Sequence, residues 1–169
     1  MDFTGKGDQG ESNLFDGRRF SKAEMVFELI GALDEASAFL GMAISLCKKK
    51  EIKDDLRKIQ DQLSKLMGII AGVKMSENEK IGFFSGVVVW FEGKIKDYGN
   101  PNENSRGFIF AGKSTLGAAI DISRTVIRRA ERCAVRHFEA RKDDGKEVIT
   151  YLNRLSSLLF VMRLFTDLQ

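Results

Sequence analysis

One proline, one histidine, one tryptophan and two cysteines are spread over 169 residues. So little proline, with only two tyrosines beside it, argues against a many-turned β-sandwich and makes helices the better expectation. The lone histidine, His137, lacks the Cys or carboxylate spacing of a metal site and reads as the end of a helix. Cys47 and Cys133 could pair, yet nothing marks secretion, so buried free thiols in a reducing compartment are expected. The opening MDFTGKGDQG has no apolar signal core, and no uninterrupted apolar run approaches the roughly 20 residues that span a bilayer. A net charge of +3, spread along the chain, gives no nucleic-acid stripe. These absences leave a soluble, cytoplasmic protein with no membrane or nucleic-acid partner.

What is present is ordinary globular material, 43% hydrophobic and 30% charged. That length suits one domain over 1–169 with a sizeable core. Residues 1–20 carry glycines at 5, 7, 10 and 17 without periodicity, and read as a glycine-rich loop. Ser21 and Glu24 have capping-box spacing, so a helix is expected from there to about Cys47, with Val26, Leu29, Ile30, Leu33, Ala36 and Leu40 at helical spacing. A second stripe follows at Ile52, Leu56, Ile59, Leu63, Leu66 and Ile70. Ser76 and Glu79 form another capping box before a run whose Val-Val-Val-Trp-Phe favours a strand by propensity; cap and context favour a helix. Ser114 should cap a long helix to about Arg141, and a last one should run from Lys146 to Leu168. The fold class is therefore all-α, a five-helix antiparallel bundle over 21–169.

Two phosphate patterns fail on context. Gly5-Lys-Gly7-Asp-Gln-Gly10 fits GxGxxG but has neither a preceding strand nor an immediately following helix. Gly107 to Ser114 fits GxxxxGKS, but a polar loop precedes it and its variable positions are bulky and apolar.

The informative stretch is SRTVIRRAER, Ser123 to Arg132, with four arginines in nine positions. At about 100° per residue Arg124, Arg128, Arg132 and Arg136 make one drifting stripe, opposite Val126, Ile127, Ala130 and Ala134. Arg129 diverges, and Glu131 lies at the border of stripe and core. Either this is a solvated ladder with one ion pair, or its unpaired charge receives an external anion or a carboxylate from another helix. Tyr151-Leu-Asn-Arg-Leu in the last helix can bring Asn153 and Arg154 alongside. In the first helix, Asp34 and Glu35 sit in a largely apolar element.

Together these pieces resemble the PduO-type ATP:cob(I)alamin adenosyltransferases. TGKGDQGESNLFDGRRFSK resembles the family's Thr-Arg/Lys-Thr-Gly-Asp-x-Gly segment, FELIGALDEASAFLG its Gly-x-x-Asp-Glu helix, and FIFAGKSTLGAAIDISRTVIRRAERCAV its corrin loop and arginine helix. YLNRLSSLLF resembles its Asn-Arg-Leu-Ser-Asp helix. The resemblance implies transfer of the 5'-deoxyadenosyl group of ATP to cobalt, with ATP, Mg²⁺ and cobalamin bound between subunits of a homotrimer. A supplying reductase and an adenosylcobalamin-dependent acceptor enzyme are its implied partners. It assigns Thr4, Lys6, Gly7, Asp8 and Gly10 to an ATP loop, Lys22, Arg128 and Arg132 to the phosphates, and Glu131 and Asn153 to ATP and its Mg²⁺. It pairs Asp34 with Arg124 of a neighbouring subunit and puts Phe108 under the corrin, displacing the axial ligand. Gly5-Lys6, Ala111 and Ser157 depart from the family pattern, which leaves a catalytically idle ATP- or corrinoid-binding relative as the alternative.

Overall fold

The computed structural model describes residues 5, 7–15, 17–99 and 109–168; Thr4, Lys6 and Phe108 lie outside them. Within these residues the chain forms a short hairpin and five helices. The hairpin pairs β1 (Glu11–Asn13) antiparallel with β2 (Arg19–Ser21), Ser12 opposite Phe20. The helices are α1 (Met25–Leu46), α2 (Lys50–Ile70), α3 (Glu77–Tyr98), α4 (Thr115–Arg141) and α5 (Lys146–Asp167).

Two expectations at the N-terminal end are corrected. The glycine-rich segment contains the hairpin, because backbone pairing suffices where side chains give no alternation. Gly17, at φ +83°, completes its tight turn, and the Phe15 amide donates to the Ala71 carbonyl at 2.8 Å, fastening the hairpin tip to the end of α2. The Ser21 capping box does not form. Ser21 is held in β2 against Glu11, its Oγ accepts from the Ala23 amide at 3.2 Å, and α1 starts only at Met25. The Ser76 box forms as expected, with the Glu79 amide donating to Ser76 Oγ and the Ser76 amide donating to Glu79. It opens α3, so the valine-rich run is helical.

The helices alternate in direction, and their principal packings run α2 on α1, α1 on α4, α4 on α5, α5 on α3. The α1–α4 seam is lined by Ala32, Ala36 and Ala43 against Ala119, Ala130 and Ala134, all buried. Such small residues allow close approach, and the buried Ser123 hydroxyl donates to the Ala36 carbonyl at 3.1 Å. By length and composition alone α1 and α5 are apolar enough to cross a membrane; here both supply the core, α5 from nearly every turn. α3 closes on α5 through an aromatic cluster in which Phe91 and Tyr151 rings lie 5.1 Å apart and Phe83 and Tyr151 6.1 Å apart. The α2–α3 seam is spanned by long side chains. Tyr98 donates to Asp55 at 2.8 Å, Lys94 pairs with Asp55 at 2.9 Å, and the Lys58 ammonium sits 4.3 Å over the Trp90 ring. Cys47 and Cys133 are free and buried.

Candidate functional site

Gly7, Asp8, Gly10 and Lys22 come together at the hairpin entrance. The chain turns with the Asp8 amide on the Gly5 carbonyl (3.1 Å) and the Gly10 amide on the Gly7 carbonyl (3.3 Å). Gly10 sits at φ +76°, and the Lys22 amide donates back to its carbonyl at 2.8 Å. The Lys22 ammonium folds over this turn and donates to the Gly7 carbonyl at 2.7 Å. A Cβ on Gly7 would lie 2.9 Å from that ammonium, so glycine is what lets the lysine close over the loop. Asp8 stays exposed. The arrangement is a compact turn carrying one exposed cation, held on the Gly7 carbonyl, and one open carboxylate.

The second group is the arginine face of α4. Ser114 caps the helix, its Oγ accepting from the Gly117 amide at 2.9 Å. Val126, Ile127, Ala130 and Ala134 are buried, as the helical wheel requires, and the arginines turn outward. A cleft of about 620 Å³ opens where α3, α4 and α5 meet. Ile95 and Lys96 line it from α3, Arg124 and Arg128 from α4, Ser157 and Phe160 from α5. Three cations and no carboxylate are among its lining residues, over an apolar floor. Such a cleft favours an anion with an apolar neighbour.

The arginines are not equivalent. Arg124 donates through Nε to Asp121 at 2.8 Å and through Nη2 at 3.4 Å, and its guanidinium lies 5.8 Å from the Phe160 ring. Arg129 pairs with Glu35 of α1. Arg132 donates to the Arg128 carbonyl at 3.1 Å, and Arg136 reaches Cys133 sulfur. Among the described residues Arg128 alone of these five has no side-chain partner, and it is exposed at the cleft. Glu131, expected at the border of the stripe, accepts from Asn153 Nδ2 at 3.2 Å rather than from an arginine. Arg154 orients that amide by donating to its oxygen at 2.9 Å and is itself tied to Glu92 of α3.

Asp34 is exposed on α1. Among the described residues nothing joins it to Arg124, whose carboxylate is Asp121. Nor does any described contact join the Gly7–Lys22 turn to the arginine face. Sequence reasoning missed Asp121, which stands three residues before Arg124 and just outside the arginine run, and Lys96, which it had no reason to separate from other surface lysines. It also passed over Arg163, buried in α5. No group of three or more His, Cys, Asp or Glu able to hold a metal occurs among the described residues. The GxxxxGKS pattern is followed from Ile109 by irregular chain and then α4; its residues 107 and 108 are not described.

Residues 3–166 match the family described as cobalamin adenosyltransferase. This chain belongs to that family. The corrinoid adenosyltransferase MMAB of Bos taurus is 32% identical over 173 residues, covering 99% of this chain and 71% of its own length. The corrinoid adenosyltransferase of Mycobacterium tuberculosis is 33% identical over 166 residues, covering 95% and 85%. Among solved structures, a phenylalanine-to-alanine variant of the PduO-type ATP:corrinoid adenosyltransferase of Lactobacillus reuteri, complexed with cobalamin and ATP, superposes with a TM-score of 0.83 at 25% identity. That match covers 98% of this chain and 93% of the other. The five-helix architecture expected from the sequence is therefore the fold of the cobalamin adenosyltransferases. Against their pattern, Ser157 turns back on its own helix, donating to the Asn153 carbonyl at 3.1 Å, so the carboxylate expected there is replaced by a neutral hydroxyl.

Proposed function

We infer that this protein is an ATP:corrinoid adenosyltransferase, moving the 5'-deoxyadenosyl group of ATP onto the cobalt of cob(I)alamin and releasing triphosphate. The observation that carries this from the chain's own geometry is Arg128, unpartnered among the described residues, in a cleft that these residues line with Lys96 and Arg124 and no carboxylate. A triphosphate leaving group is a strongly charged anion, and such cations neutralise it as its charge develops.

The reaction asks little else of the side chains. The cobalt(I) electron pair forms the Co–C bond to C5', the C5'–O bond breaks, and its electron pair leaves with the triphosphate. No proton is removed, so positioning and charge are what the protein contributes. Arg128 and Arg132 bind phosphate oxygens. Lys22, now folded on Gly7, swings to the phosphates while the turn at Gly7, Asp8 and Gly10 wraps the nucleotide; the family resemblance adds Thr4 and Lys6 to the ATP-binding set. Asn153 and Glu131, already hydrogen bonded to each other, would hold the nucleotide and its Mg²⁺. One carboxylate with triphosphate oxygens is a donor set that suits Mg²⁺, which keeps water and takes few protein ligands. The family resemblance assigns Phe108 to the lower face of the corrin.

The Gly7–Lys22 turn and the arginine face occupy different parts of the monomer, which supports completion of the site between subunits of a homotrimer, with Asp34 near the boundary. A separate reductase supplies cob(I)alamin and an adenosylcobalamin-dependent enzyme receives the product. The buried free thiols fit a cytoplasmic, reducing setting.

An anaerobic assay with chemically reduced cobalamin, ATP and Mg²⁺ tests the reading, following conversion to adenosylcobalamin by absorbance. Turnover should fall about 100-fold in Arg128→Ala, with the melting temperature little changed because Arg128 is exposed. ATP binding without any turnover by the unaltered chain would replace the enzyme with a binding-only relative.

A further inference from the structure

A buried polar chain runs from the start of α4 to the cleft. Ser114 Oγ, while capping α4, donates to Asp167 at 2.8 Å. Asp167 lies 3.6 Å from Arg163, and Arg163 lies 3.7 Å from Asp121. Arg163 is 1% exposed, and its Nη2 donates to the Ile109 carbonyl at 3.1 Å. Asp121 closes on Arg124 with two contacts, at 2.8 and 3.4 Å. Two arginines and two aspartates thus alternate, and the last member faces the cleft.

We propose that Asp121, backed by the buried Arg163, is the positioning residue for Arg124, so that this chain carries within one subunit the carboxylate that aims its cleft arginine. The inference rests on the adenosyltransferase reading for the meaning of the cleft. Its geometry stands apart from that reading. A guanidinium on a flexible stem is usefully placed only when its fork is held, and a carboxylate taking Nε and Nη2 fixes the plane of the group. The contacts made through Nε and Nη2 leave the Nη1 edge as the remaining face of the fork. Asp121 is itself only 15% exposed at its side chain, and Arg163, 3.7 Å from the same Oδ1 that accepts from Arg124 Nε, offsets the cost of burying it. Gly117 belongs to the same device. A Cβ there would meet Asp167 at 2.2 Å, so glycine lets the end of α5 reach the cap of α4. The family resemblance gives Arg124 a carboxylate from another subunit, Asp34. Here the place on Nε is already taken from within.

A double-mutant cycle decides it. Asp121→Asn, Arg124→Gln and the double variant are compared with the unaltered trimer or monomer, whichever it forms, in kcat/KM for cobalamin and for ATP, with melting temperatures recorded alongside. Each single variant should lose about tenfold, and the double should lose no more than Arg124→Gln alone, because the aspartate acts only through that arginine. Asp121→Glu, which keeps the carboxylate, should recover most of the loss at a melting temperature no higher than that of Asp121→Asn. Arg163→Lys keeps the buried charge without the fork. It supplies the second arm if Asp121→Asn does not fold, and should again show no added loss in the Arg124→Gln background. Losses that multiply in the double variant overturn the proposal, as does a Glu variant no better than Asn. If the unaltered protein shows no turnover, the functional reading has failed by itself, and the same cycle is read in the dissociation constants of ATP and cob(II)alamin. Multiplicative losses there overturn the positioning role, non-additive ones uphold it, and no binding of either substrate overturns both.

Discussion

Asn153 Nδ2 donates to Glu131 Oε1 at 3.2 Å, tying α5 to α4 one turn beyond Arg128. The bond sets an acceptor and a carboxylate on the turn after Arg128, whose guanidinium has no partner among the described residues. An anion meeting Arg128 therefore also meets a group able to hold its counter-cation.

Asn153→Ala should raise the KM for ATP about tenfold, the size of one hydrogen bond to a charged group. Because Asn153 is exposed, the melting temperature should hardly move. Steady-state kinetics with ATP varied at saturating cobalamin measures this, and an unchanged KM would remove Asn153 from the nucleotide site.

Lys22→Ala removes the ammonium that covers the Gly7 carbonyl. ATP affinity should drop about tenfold through the lost phosphate contact, while unfolding in denaturant stays within about 0.5 kcal/mol of the parent, as for an exposed surface residue. Gly7→Ala should weaken ATP in the same direction, since its Cβ would displace the ammonium. Titration calorimetry with ATP is the check; equal affinities in all three proteins would place the nucleotide elsewhere.

Tyr98→Phe should cost about 1 kcal/mol by removing one hydrogen bond to Asp55. For a chain of this size that is a melting temperature lower by about 2–4 °C. Burial first, then the hydrogen bond to Asp55, pushes the tyrosine hydroxyl far above its ordinary pKa of 10, so it remains a donor across the working range. Turnover should be untouched, because this latch is on the α2–α3 side. A scanning calorimetry trace that matches the parent's would deny the latch any role.

His137 predicts a pH dependence. Burial, helped by nearby Arg141, holds its pKa below the ordinary 6.5. The unfolded chain therefore takes up the proton before the native one does. This contribution to stability is complete above pH 6.5 and is lost as the pH falls through the lower native pKa. Urea unfolding from pH 8 to pH 5 should show the fall, and His137→Gln should flatten it. Identical slopes for the two proteins would assign the fall to other groups.

How much could be seen in advance differed by element. The α2 stripe was legible because Ile52, Leu56, Ile59, Leu63 and Leu66 all face one direction, and all are buried. In α3 the strand propensity of the valine run was outweighed by the Ser76 cap and the helical context, as expected from the sequence; only Val87 of the three is buried, and Val89 is 69% exposed, so the run never belonged to one hydrophobic face. The hairpin was invisible because its three-residue strands are held by main-chain bonds that any sequence can make. On α4 the wheel sorted inward from outward residues correctly. It could not tell which arginines were already satisfied, because Glu35 comes from a helix nearly a hundred residues away and Asp121 gains its second partner from α5. The resemblance assigned Arg128, Glu131 and Asn153 to ATP and its Mg²⁺, and the packing of α4 on α5 puts Glu131 and Asn153 in contact.

The succession of principal packings from α2 through α1, α4 and α5 to α3 has a consequence for how the molecule breathes. The two outer helices meet each other mainly through Lys94, Lys58 and Tyr98, side chains that can let go one at a time. Backbone amides of α2 and α3 should accordingly exchange with deuterium before those of α4, whose alanine seam and buried polar chain must part together. The arginines ride on the slowest-opening helix, so an edge can loosen while the anion-binding face keeps its shape.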